Sequence, residues 1–181
     1  MPTAKLEQKQ IEQLEIPLER DVFCRSLISE LAATLQDLIG LEEASGFISV
    51  VGQTIGNNIN KDYKQALGTK RLTREQVESV LVDLKRRING EFSIEQSDDE
   101  KIIFKNTRCP FAEKVIGKPS MCMMTSNVFG SITANNLGYA RVVLNETIAE
   151  GHPGCKVSVF LKESNQGSEP EGREYFQVES D

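Results

Sequence analysis

Apolar side chains recur at a helical period over residues 19–39, at Val22, Phe23, Leu27, Ile28, Leu31, Leu35, Leu38 and Ile39, which predicts an amphipathic helix. Gly40 stands where a C-terminal cap is expected. A second helical stretch covers 41–66, with Ala44, Phe47, Ile48, Val51, Ile55, Ile59 and Tyr63 on one stripe. Gly46, Gly52 and Gly56 fall inside it, although a glycine costs roughly 1 kcal/mol relative to alanine in a helix interior. Gly52 and Gly56 lie four apart and so share a face. They predict close approach of another backbone or of a ligand, with helix packing the simpler reading; a kink near Gly52 is the alternative.

A third helix starts at Thr73, where Gln76 completes a capping box, and places Val77, Val80, Leu81, Leu84 and Ile88 on its buried stripe. Asn89-Gly90 ends it. The runs 91–96 and 101–106, joined by a turn over 97–100, read as a hairpin. A loop over 109–120 leads to a fourth helix over 121–137, closed by Gly138. Strands over 139–148 and 155–161 flank a tight turn containing Gly151, His152, Pro153 and Gly154. Residues 1–18 read as a polar arm and 19–163 as a single domain. Residues 164–181 read as a polar acidic tail, in which 175–178 is either a docked edge strand or a disordered tip. Strands in hairpins, with helices grouped elsewhere, imply an α+β fold: N-terminal helices packed on an antiparallel sheet built from two hairpins with an intervening helix. The first two helices are also a candidate dimer face.

Composition narrows the function. Hydrophobic residues at 39% and charged residues at 27% are ordinary for one globular domain. A net charge of −6 argues against binding a nucleic-acid backbone, which needs a clustered basic face. The densest basic run, 84–88, reads as the solvated face of a helix. No stretch is apolar for long enough to span a membrane, and the first residues are too polar for a signal peptide. A cytoplasmic location, with reduced thiols, is expected. No Gly-rich phosphate loop, H-E-x-x-H or G-x-S-x-G occurs, so an enzyme is the weakest class. A Cys155–His152 nucleophilic pair has poor geometry within one tight turn.

The cysteines carry the remaining chemistry. Cys109 follows a strand and precedes Pro110; Cys122 comes twelve intervening residues later, in the first turn of a helix; Cys155 opens a strand 32 intervening residues further on. All three fall at element ends, where sites are usually built, and converge if both hairpins share a sheet. The helix N-terminus should favour the Cys122 thiolate. Thiolates are soft ligands that suit zinc, copper(I) and iron–sulphur clusters. The competing reading is three unrelated thiols, each packed as a small hydrophobe. Cys24 reads as core packing, or as a fourth ligand if its helix crosses the site. His152 would complete a Cys3His zinc site, or is an exposed turn residue. Met121, Met123 and Met124 read as core filling before copper ligands.

The stretch 109–161, with Cys109-Pro110-Phe111, Cys122, Gly138-Tyr139, Ile148-Ala149-Glu150-Gly151 and Gly154-Cys155, resembles the methanogen output domain, an accessory module found with sensor kinases and regulators. The likeness extends upstream through 41–67 and covers about 19–161. More distantly, the chain looks like the vinyl-reductase-type sensor domains. These share a fold with transport-particle and nitric-oxide-signalling ligand domains and include cysteine-rich metal-binding members. It is also similar to the effector domains of iron–sulphur-dependent repressors of cluster-assembly operons, which carry a Cys-Pro, a cysteine after the same twelve-residue gap and a later cysteine opening a strand. That resemblance implies a [4Fe-4S] cluster on Cys109, Cys122 and Cys155. No winged-helix reader is recognisable here, so DNA binding is not carried over.

The expectation is a cytoplasmic sensor or regulator, not a nucleic-acid or membrane binder. It would hold an iron–sulphur cluster on three cysteines and signal through a protein partner such as a sensor kinase or regulator, with a homodimer as a further option. Two alternatives stand beside it. One is a structural zinc site on the same cysteines with His152 or Cys24. The other is a pocket for haem or another apolar ligand, with Cys109-Pro110 as the haem ligand.

Overall fold

The computed structural model describes residues 10–163 and 172–177; the first half of the expected arm and most of the expected tail lie outside them. The elements run α1 (Arg20–Ile39), α2 (Leu41–Ala66), α3 (Arg74–Arg87), β1 (Phe92–Ser97), β2 (Lys101–Asn106), α4 (Cys122–Leu137), β3 (Tyr139–Glu146), β4 (Cys155–Phe160) and β5 (Arg173–Phe176). The class is α+β. Five antiparallel strands lie in the order β1-β2-β4-β3-β5. The two hairpins therefore share one sheet, joined by the β2–β4 pairing. Within the polar tail, Arg173–Phe176 docks as an edge strand on β3.

Local chemistry explains the helix boundaries. Thr73 Oγ1 accepts from the Gln76 backbone N–H and Gln76 Oε1 accepts from that of Thr73, the reciprocal capping box the sequence predicted. Gly40, at φ +87°, separates α1 from α2, and Gly138, at φ +100°, ends α4. One face of the sheet is covered by α3 and α4. Phe129 of α4 sits edge-on to Phe104 at 5.1 Å and to Phe92 at 5.5 Å between ring centres. These rings join Leu81, Ile102, Ile132, Val142 and Val159 in the main core.

Helix α4 is buried on nearly all sides because α2 lies across its back. That contact runs through glycine. A Cβ on Gly52 would stand 2.9 Å from the Asn127 Cβ and 3.3 Å from the Met124 Cα; on Gly56 it would stand 3.1 Å from the Val128 Cα. Helix packing, not a kink, is the role of both glycines.

Three expectations are corrected. Much of the apolar stripe of α1 faces outward, with Phe23 and Leu31 more than half exposed, and the α2 stripe is split: Phe47, Val51 and Ile55 are exposed, whereas Ala44 is buried and Ile48, Ile59 and Tyr63 pack against the cores. Small or polar residues also face inward: Ser29 and Ala32 on α1, and Ser49, Gly52, Gly56 and Asn60 on α2. Cys24 is exposed on α1 rather than packed in the core. The basic run 84–88 is not a uniformly solvated face, because Lys85 is buried and Ile88 half exposed.

Replacing Gly52 by alanine gains roughly 1 kcal/mol of helix propensity but drives a methyl into the α4 backbone. Overpacking of this kind costs about 1–3 kcal/mol. Gly52→Ala is expected to lower the urea midpoint of unfolding, measured by circular dichroism.

Candidate functional site

Cys109, Cys122 and Cys155 line one apolar pocket, which encloses about 70 Å³ at the open edge of the main core. Each arrives from a different element. Cys155 begins β4 and pairs in register with Asn106, the last residue of β2. The Asn106 side chain locks this corner: Oδ1 accepts the Cys155 backbone N–H at 2.8 Å, and Nδ2 donates to the Arg108 carbonyl at 2.9 Å. One amide thus holds the strand bearing Cys155 against the turn bearing Cys109. Gly154 makes room for it, since a Cβ there would sit 2.3 Å from the Asn106 carbonyl oxygen. Pro110 packs against Gly90, just beyond the end of α3. Cys122 enters as the first residue of α4.

Helix α1 holds the loop between Cys109 and Cys122. Ser29 Oγ donates to the Lys114 carbonyl at 2.8 Å and Lys118 Nζ donates to Ser29 Oγ at 2.6 Å. Gln36 Oε1 accepts from the Ser120 hydroxyl and, at 3.2 Å, from its backbone N–H. The Gly117 N–H bonds the Ala149 carbonyl at 2.9 Å, tying this loop to the short turn Ile148–Glu150. Met121 packs with Ala32, Val115 and Ala149 under the loop. Ala112, at φ +51°, occupies the left-handed region, which costs a non-glycine residue about 1–2 kcal/mol.

The sulphurs face backbone donors. The Ala112 N–H goes to the Cys109 carbonyl at 2.9 Å and the Thr147 hydroxyl to Glu150 at 2.7 Å, but the Phe111 N–H faces Cys109 and the Ile148 N–H lies 3.5 Å from Cys155 Sγ. Such donors favour thiolates, but burial opposes them. Desolvation first, and then the charge of Cys155, push the Cys122 thiol up to about 12. Burial raises Cys109 and Cys155 as well. The helix N-terminus is expected to favour the Cys122 thiolate; in this apolar pocket desolvation outweighs the dipole.

The pocket holds one residue with no place in the sequence-based site. Lys85 is 4% exposed. Its Nζ donates to Thr125 Oγ1 at 2.7 Å and lies 5.1 Å and 5.3 Å from the ring centres of Phe92 and Phe129. Burial pulls its ammonium down to about 8, while Cys109, Cys155 and Cys122 push back upward. No carboxylate lines the pocket, and Lys85 has no ion pair among the described residues. The helical period carried the signal for it: Val77, Leu81 and Lys85 fall four apart on the buried stripe of α3. Asn106 and Thr147 had no comparable signal. His152 is exposed on its turn and Cys24 on α1, and neither lines the pocket.

Three thiols with backbone donors and a buried cation suit a thiolate-bound group. Among the described residues no three His, Cys, Asp or Glu side chains are grouped closely enough to hold a single metal ion. A tetrahedral zinc site, with Zn–S near 2.3 Å, needs its sulphurs about 3.8 Å apart. A cluster reaches its ligands from separate corners and accepts a wider triangle.

Raised thiols react slowly, since the thiolate is the nucleophile. At neutral pH, Cys122 is expected to alkylate with iodoacetamide at least about tenfold more slowly than exposed Cys24. Time-resolved peptide mass spectrometry reads both rates.

The family model of methanogen output domain 1 matches residues 27–160, a span that contains Lys85 and all three pocket cysteines. Among solved structures, the phenol-responsive sensory domain of the transcription activator PoxR with phenol is similar, with TM-score 0.60 and 16% identity over 82% of this chain and 77% of that one. A trafficking protein particle complex subunit 3 from Naegleria fowleri, covalently bound to palmitic acid, is similar with TM-score 0.53 and 13% identity, over 78% and 96%. At these identities the two structures share the fold. No curated protein sequence matches. With well over half of its length matched, the chain belongs to the methanogen output domain 1 family.

Proposed function

We propose that this domain is a sensor that holds an iron–sulphur cluster, of the [4Fe-4S] type, on Cys109, Cys122 and Cys155 and passes its state to a protein partner. The observation that carries the reading is the convergence of three thiols, from three element ends, on one pocket containing a buried cation. The resemblance of the cysteine spacing to cluster-assembly repressors points the same way. When bound, the cluster would supply one-electron chemistry and a site sensitive to oxygen species or nitric oxide. The chain's own residues do the rest. Asn106 and Gly154 fix the strand ends, the N–H groups of Phe111 and Ile148 support sulphur charge, and Phe92, Phe111 and Val115 exclude water.

A second reading has its own support. The pocket is mostly apolar and carries aromatic side chains, and a domain of similar fold responds to phenol. A small apolar ligand is then the alternative occupant. Space on the order of five water molecules does not take a tetrapyrrole, which disfavours haem. A Cys3His zinc site would need His152 to leave its exposed turn.

For a partner, the outward apolar faces of α1 and α2 favour a second copy of the chain. Two helix pairs meeting about a two-fold axis form a four-helix interface, with the same residues used from both sides. Cytoplasmic signalling through such a dimer, or through a kinase or regulator on the same face, fits a domain whose described residues contain no helix long and apolar enough to cross a membrane.

Anaerobic purification, with an absorption spectrum and iron, sulphide and zinc analysis, tests the cluster. The expected result is a brown protein with matching iron and sulphide. Both should be lost in Cys109→Ser, Cys122→Ser and Cys155→Ser and kept in Cys24→Ser and His152→Ala. Stoichiometric zinc, lost in His152→Ala, would replace the cluster with the zinc site. A metal-free protein whose melting temperature rises with phenol would favour the second reading. For the interface, Leu31→Glu with Phe47→Glu is expected to convert a dimer to monomer in sedimentation velocity with the secondary structure unchanged.

A further inference from the structure

We propose that Lys85 is the fixed counter-charge of the three-cysteine pocket, placed to balance the net negative charge of a thiolate-bound cluster and to raise its reduction potential. This deepens the cluster reading above and rests on it.

The case begins with what Lys85 lacks. A buried ammonium without a carboxylate partner costs several kcal/mol of desolvation. Here the compensation is a single hydroxyl, Thr125 Oγ1, and two aromatic faces. Every other basic side chain of this run is exposed, and the neighbouring Arg86 and Arg87 both pair with Asp83. Lys85 alone turns inward and lines the same pocket as the three cysteines. A lysine whose purpose was stability would be expected to find a carboxylate or to lead its ammonium out to water. Its placement makes sense if an anion completes it.

A thiolate-ligated cluster is that anion. Three thiolates around a dipositive [4Fe-4S] core leave a net negative charge. One electron from an external reductant makes it more negative, with no bond formed or broken in the protein. In a low-dielectric pocket a nearby cation stabilises the reduced form more than the oxidised one. Lys85 acts on the cluster through space and is a positioning residue, not a ligand.

Two opposite effects follow from one substitution. Lys85→Met removes an uncompensated charge and keeps an unbranched apolar stem, so the cofactor-free protein is expected to melt at a temperature no lower than wild type. In the reconstituted protein the same change is expected to lower the cluster's midpoint potential, while Lys85→Arg, which keeps the charge, stays nearer to wild type. The experiment is anaerobic reconstitution of the full chain in wild-type, Lys85→Met and Lys85→Arg forms. Each form is then titrated with dithionite and redox mediators, followed by absorption and electron paramagnetic resonance. Thermal melts of the three cofactor-free proteins accompany it. Equal potentials in wild type and Lys85→Met, or a Lys85→Met chain that melts well below wild type or fails to fold, would overturn the proposal and leave the cluster in place. A wild-type protein that takes up no iron and sulphide would instead overturn the cluster reading, and this inference with it.

Discussion

The pairing of β2 with β4 is the constraint on which the rest of the molecule hangs. It fuses two hairpins that are distant in sequence into one sheet, and it sets Asn106 opposite Cys155. Everything at the pocket follows from that register. A slip of one residue would turn Cys155 to the other face of the sheet and withdraw the N–H that the Asn106 amide accepts. Gly154 tolerates the close approach and Asn106 enforces it, so the corner is defined by steric fit and by hydrogen bonding together.

The elements were legible in the sequence where their signals were local. The capping box at Thr73, the Asn89-Gly90 stop, the glycine that closes α4 and the alternation of β4 each reflect chemistry within a few residues. The meeting of the three cysteines was legible too, because all stood at element ends that a shared sheet would bring together. The orientation of α1 and α2 was not. An isolated domain would turn apolar stripes inward, but Gly52 and Gly56 are what α4 accepts from α2, and Ser29 and Ala32 are what the Cys109–Cys122 loop accepts from α1. Tertiary packing chose shape over hydrophobicity, leaving the apolar faces to meet something else.

Lys85 shows a different limit. Composition places it among basic neighbours and so on the surface, whereas position places it on the buried stripe four residues after Leu81. Position prevailed, because α3 must present that stripe to Phe92 and Phe129. The state of Cys122 was beyond sequence reading for a similar reason. A helix N-terminus is a local property that favours an anion, but burial is a property of the whole fold, and here it is the larger effect.

The glycine contact between α2 and α4 gives the molecule a mechanical property. Helix α4 has sixteen residues and so a length of about 24 Å. Its first residue is at the pocket, and its flank, through Asn127, Val128 and Ser131, closes directly on the α2 backbone at Gly52 and Gly56. A side chain larger than glycine at either position would hold the helices apart, so the seam is stiff to approach. Cys122 at one end of α4 and the outward-facing part of α2 thus belong to one tightly packed unit.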